Sequence, residues 1–162
     1  MPPLNNAHFN RDARTFVFID GPNNHSAAKS LDIDIDYKKL RDGLRAVTRL
    51  IRIYYYTPVT SEDEYSSIKP LLDWLDYNGY TIVTKPFKES TSEEGRRRLK
   101  GSMGIEIALE AQQLAINRSM DHMILFSGNS DFRPVIEAVK KMGVFVTVIS
   151  TRVKEPALVA DE

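Results

Sequence analysis

Two apolar runs in this chain break into small polar and acidic residues. Phe16-Val17-Phe18-Ile19 ends in Asp20-Gly21-Pro22-Asn23, and Met123-Ile124-Leu125-Phe126 ends in Ser127-Gly128-Asn129-Ser130-Asp131. Carboxylate, amide and hydroxyl oxygens are the hard ligands from which a protein builds a site for a divalent cation. Such an ion suits chemistry on phosphates. Each acid also has a plainer role. Asp20 could simply cap the helix that follows it, at about even odds when taken alone. Asp131 could be a first-turn acid on the helix leading to Lys140 and Lys141. Two such acids at the ends of two apolar runs favour one shared site.

Other candidates carry less. Arg96, Arg97, Arg98 and Lys100 form a basic stretch that could hold phosphates opposite the acids, although charge runs are more often solvated loops. Tyr54-Tyr55-Tyr56 could stack bases. Consecutive strand residues face opposite ways, so sheet packing is the better reading of that trio. Asp32, Asp34 and Asp36 imitate the start of a calcium loop, but Tyr37 and Gly43 stand where it needs Gly and Glu. Gly101-Ser102-Met103-Gly104 spells a short RNA-binding GxxG in the wrong order of elements. A phosphatase of the haloacid dehalogenase class would need a nucleophilic Asp at position 18, which is Phe18. His8, His25 and His122 show no spacing of a zinc site.

The elements that must position these residues alternate. Strand-like runs recur near 15–20, 50–57, 80–85, 122–127 and 144–150, with helix-like stretches near 36–47, 64–78, 102–118 and 131–142 and a shorter one after Pro22. Ile68, Leu71, Leu72 and Leu75 make one apolar helix face. Gly79 and Gly143 stop helices just before strands, and Gly21 is read as letting the backbone turn after the first strand. This alternation predicts an α/β fold with a mainly parallel sheet covered on both faces. In such a sheet ligands bind at the carboxyl ends of the strands, where both acids fall. Residues 86–99 read as one long irregular segment on that same side. Residues 1–14 read as a loose arm, 15–150 as one domain, and 151–162 as a tail resembling a helix cut short.

Composition sets the outer bounds. The 162 residues carry 22 basic and 22 acidic side chains, so no global charge advertises a nucleic-acid or membrane partner. There is no cysteine, hence no disulfide or thiolate site. No apolar stretch approaches membrane-spanning length and the first residues lack a secretory pattern, which makes a cytoplasmic protein the default.

Taken together, Phe18-Ile19-Asp20-Gly21-Pro22-Asn23, Lys100-Gly101-Ser102-Met103, Ile107-Ala108-Leu109-Glu110-Ala111 and Phe126-Ser127-Gly128-Asn129-Ser130-Asp131-Phe132 resemble the NYN domain. Residues 70–80 and Thr84-Lys85-Pro86 are similar to its LabA-like branch, within the PIN-like nuclease superfamily. The resemblance spans about 15–160. It implies a three-layer Rossmannoid with five strands in the order 3-2-1-4-5, and a pocket binding Mg²⁺ or Mn²⁺ that hydrolyses RNA phosphodiesters. Asp20 and Asp131 match the family's metal-site acids, with Asn129 beside them as a neutral oxygen ligand. Asn23 and Ser127 match supporting polar positions, and Lys100 a lysine before the helix that could contact a phosphate. The family pattern has Asp where this chain has Gly104 and Asn129. Helical geometry gives Glu106 no route to replace Gly104, because it lies about 200° around the helix. The implied function is a metal-dependent ribonuclease of weakened activity, with a non-catalytic RNA-binding or regulatory protein as the alternative. The expected partner is single-stranded RNA, and a homodimer stays open.

Overall fold

The computed structural model describes residues 9–59, 62–86, 89–91, 97–99 and 103–150. Strand β1 (Arg14–Asp20) runs straight into helix α1 (Gly21–Ser30), followed by α2 (Tyr37–Val47), β2 (Arg49–Val59), α3 (Glu62–Tyr77) and β3 (Tyr80–Pro86). Two short strands, β4 (Glu89–Thr91) and β5 (Arg97–Leu99), precede α4 (Gly104–Ile116) and β6 (His122–Phe126). A 3₁₀ turn (Ser130–Phe132), α5 (Arg133–Lys141) and β7 (Phe145–Ile149) complete the described order.

Five strands form one parallel sheet in the order β3-β2-β1-β6-β7. Counting only its own strands, this is the expected 3-2-1-4-5. β1 is central because it is apolar on both sides. Phe16 and Phe18 join the core under α4 and α5, where Ile107, Ala111, Val135 and Val139 pack. Val17 and Ile19 join the opposite core with Leu40 and Leu44 of α2 and Leu72 and Leu75 of α3. The pleat thus divides one strand between two layers. The same rule disposes of the tyrosine trio: Tyr54 and Tyr56 pack on the α4 side, Tyr55 on the other, and all three are buried.

Helix ends follow their sequence signals. Gly79 and Gly143 adopt φ of 91° and 88°, a region that costs glycine little. Asp36, the last acid of the calcium-loop imitation, caps α2 by accepting from the Lys39 N–H at 3.0 Å. The segment 86–99 differs from the irregular loop expected. β4 and β5 pair antiparallel with Ser90 opposite Arg98. Strands of three residues with a single apolar side chain between them, Leu99, are too short to show any alternation, so nothing in their composition announces them. The stretch read as one helix over 131–142 begins instead with the separate 3₁₀ turn, and α5 starts at Arg133 with Pro134 in its first turn. Among the described residues no helix is long and apolar enough to cross a membrane.

Candidate functional site

Register assembles the site. Ile19 of β1 lies opposite Phe126 of β6, so the next residues, Asp20 and Ser127, emerge side by side at the carboxyl ends of adjacent strands. The Ser127 hydroxyl donates to Asp20 Oδ2 at 3.0 Å. Ser127 Oγ in turn accepts the Asn129 N–H at 3.2 Å, and Asn129 Oδ1 accepts the Asp131 N–H at 2.9 Å. Asn23 closes the arrangement from α1, its Oδ1 accepting the Gly128 N–H at 2.9 Å. One hydrogen-bonded thread therefore links the two acidic loops, although residues 20 and 127 lie 107 positions apart.

Asp20 serves both readings at once. It caps α1, because the Asn23 N–H bonds its carboxylate, and it faces the second loop through Ser127. Burial raises its pKa above the ordinary aspartate value, while the Ser127 hydroxyl and the Asn23 N–H pull it back only in part. Gly21 is required for space rather than for a left-handed turn. A Cβ there would lie 2.6 Å from the Tyr56 carbonyl oxygen and 2.9 Å from the Tyr55 ring. That close approach lets α1 begin directly at the carboxyl end of β1.

Gly104, Asn129 and Asp131 line one groove of about 450 Å³ between α4 and the turn into α5. Position 104 therefore borders the same groove as Asp131, and it offers no side chain. Glu106 turns away, as helical geometry predicts. Its Oε1 accepts from Lys85 Nζ at 2.8 Å, at the carboxyl end of β3. Burial opposes ionisation of Glu106, but the Lys85 hydrogen bond and charge outweigh it and lower its pKa. Glu110, one turn on, accepts the Tyr54 hydroxyl at 2.8 Å. Both glutamates are thus engaged with the sheet. Gln112, which lines the groove, and Lys85, which holds Glu106, were not singled out as site residues by their types, because a lone amide and a lone lysine give no pattern.

Among the described residues no three Asp, Glu or His side chains gather closely enough to hold a metal by themselves. Arg96 and Lys100 lie outside the described residues, as do the side chains of Arg97 and Arg98. The backbone of Arg97 and Arg98 belongs to β5, between the carboxyl end of β3 and the start of α4. His122 has a structural role: it is buried, its Nε2 lies 2.8 Å from Thr147 Oγ1, and its ring packs near Phe9 and Phe145.

Comparison with known proteins agrees with this architecture. The chain is 27% identical over 143 residues to the low amplitude and bright protein LabA of Synechococcus elongatus, covering 87% of this chain and 75% of that protein. A crystal structure of a protein of unknown function from Vibrio parahaemolyticus superposes with a TM-score of 0.68 at 18% identity, covering 90% of this chain and 83% of that one. That likeness concerns the fold alone. The NYN domain matches residues 14–162. The chain belongs to the NYN domain family, as a LabA-like member with a PIN-like nuclease fold.

Proposed function

We propose that this protein is a metal-dependent ribonuclease that hydrolyses single-stranded RNA, with activity reduced by Gly104 and Asn129. The observation that carries the reading is the Ser127–Asp20 hydrogen bond of 3.0 Å across the paired ends of β1 and β6, which draws two acidic loops into one site. Family membership supplies the nuclease-like, RNA-related frame. The donor set fits a magnesium or manganese ion held largely by water, since Mg²⁺ is commonly bound through one or two carboxylates plus substrate phosphate. Asp20 and Asp131 would supply the charge and Asn129 Oδ1 a neutral oxygen. When bound, the ion supplies an activated water and charge stabilisation at the leaving oxygen. The protein's own part is orientation. Ser127 holds Asp20, Asn129 holds the backbone of Asp131, and Asn23 ties the β6 loop to α1.

A second reading rests on a specific observation. Among the described residues the loops bring Asp20 and Asp131 but no cluster of three acids, which favours a protein that keeps the pocket and binds RNA without cutting it. Incubating a mixed RNA pool with Mg²⁺ or Mn²⁺ separates the two. Metal-dependent cleavage that disappears in Asp20→Ala supports the ribonuclease. RNA bound but left intact, in wild type and variant alike, supports the second reading.

A further inference from the structure

The groove between α4 and α5 has a lining that matches neither a phosphate nor an apolar guest. Ile105, Ala108, Phe132, Pro134 and Val135 supply its apolar surface. Its polar lining comes from Gln112, Asn129 and Asp131, which bring one carboxylate and no cation. A bare phosphate would meet repulsion there. A purely apolar guest would leave the Gln112 amide facing it unpaired, and this amide has no hydrogen-bond partner among the described residues. The groove volume of about 450 Å³ falls within the range of ordinary ligand pockets.

We propose that this groove is a nucleobase-binding subsite, with Gln112 reading the edge of a base that lies against Ala108 and Ile105. A neutral, flat heterocycle with donors and acceptors on its rim satisfies both the apolar walls and the amide. Gln presents one donor and one acceptor side by side, the pattern that pairs bidentately with a base edge. Residues 105, 108 and 112 follow i, i+3, i+7 and share one helix face. From Gly104 to Gln112 the helix rises about 12 Å. A nucleotide whose phosphate is carried at the metal site proposed for Asp131 and the Asp20 loop, its charge thus offset, can therefore extend its base along α4. Gly104 lines the same groove and adds no side chain to it. The inference rests on the RNA-directed reading of the neighbouring acids, and it extends that reading to how the substrate is selected.

The test is nuclear magnetic resonance titration of the full chain with adenosine, guanosine, cytidine and uridine, each without phosphate, and with ribose as control. Nucleosides should shift the amides of Ile105, Ala108 and Gln112, and ribose should not. Gln112→Ala should weaken nucleoside binding about three- to tenfold, the effect of losing one or two neutral hydrogen bonds, and narrow the spread among the four bases. Ala108→Phe, which fills the groove, should abolish binding. The Gln112 variant guards against misfolding of the larger replacement. Shifts equal for ribose and nucleosides, shifts confined elsewhere, or wild-type affinity in both variants would overturn the proposal. Because these probes carry no phosphodiester, nucleoside binding without RNA cleavage leaves the subsite standing and removes the ribonuclease. Cleavage with no response to nucleosides does the reverse.

Discussion

The Asp20 carboxylate receives the Ser127 hydroxyl and the Asn23 N–H, yet burial still raises its pKa above the ordinary aspartate value. A raised pKa means that the fold favours the protonated acid, so stability falls as pH rises through that titration. Once ionised, the Asp20 side chain therefore costs stability. Asp20→Asn can still accept the Asn23 N–H through Oδ1 and can donate from Nδ2 to Ser127 Oγ, without the charge. It should hold or raise stability, by up to about 1 kcal/mol, while removing metal-dependent cleavage. Asp20→Ala also loses the cap and should cost about 1 kcal/mol. Thermal melts of the two variants check this, and an Asn variant as unstable as the Ala variant would make Asp20 a structural anion. His122 gives the opposite pH signature. Burial lowers its pKa to about 4, whereas an unfolded histidine titrates near ~6.5. Between those values the unfolded chain takes up a proton that the fold refuses. Stability is thus complete above about pH 6.5 and declines toward pH 4, by about 2–3 kcal/mol in total. Urea denaturation across that window should show the slope in wild type and its loss in His122→Phe.

At the scale of elements, most of the sheet was legible because its central strands β1 and β6 are apolar on both faces and α3 and α5 stop at glycines with positive φ. Ile68, Leu71, Leu72 and Leu75 do turn one face of α3 into the core. What was not legible depends on pairings that residue types alone do not announce. β4 and β5 are each too short and polar to identify alone, and the 3₁₀ turn depends on Asn129 capping rather than on periodicity. The acid loops were visible as residue types, but the Ser127–Asp20 bond exists only because β1 and β6 are neighbours. The course of the groove along α4 was invisible, since Gln112 has no local signal. The placement of Gly104 beside Asn129 and Asp131 yields a prediction for this junction. Gly104→Asp with Asn129→Asp adds two carboxylates to the lining that Asp131 already occupies. Calorimetry should show tighter Mn²⁺ binding, by about tenfold or more, and cleavage should rise with it. An unchanged double variant would remove these positions from the metal site.

Across the whole molecule the charges cancel, with 22 of each sign, so attraction to RNA has to be local. Replacing Arg96, Arg97 and Arg98 by alanine should weaken single-stranded RNA binding and flatten its salt dependence, because each phosphate neutralised by a cation releases counterions. Asp20→Ala should spare most of that binding. Affinity measured over a salt series decides the matter, and an unchanged slope in the arginine variant would leave the basic run a solvated loop. The central position of β1 also bears on how the protein is made. β2 and β3 can pair with β1 as soon as they leave the ribosome, but the other edge of β1 stays open until β6 follows, beginning at His122. Until then Asp20 has no Ser127, and a strand edge with buried-type side chains is exposed to wrong partners. Pairing of β6 with β1 and assembly of the acid loops are therefore one event. A chain interrupted before residue 122 lacks β6, and so carries Asp20 without the strand that brings Ser127 to it.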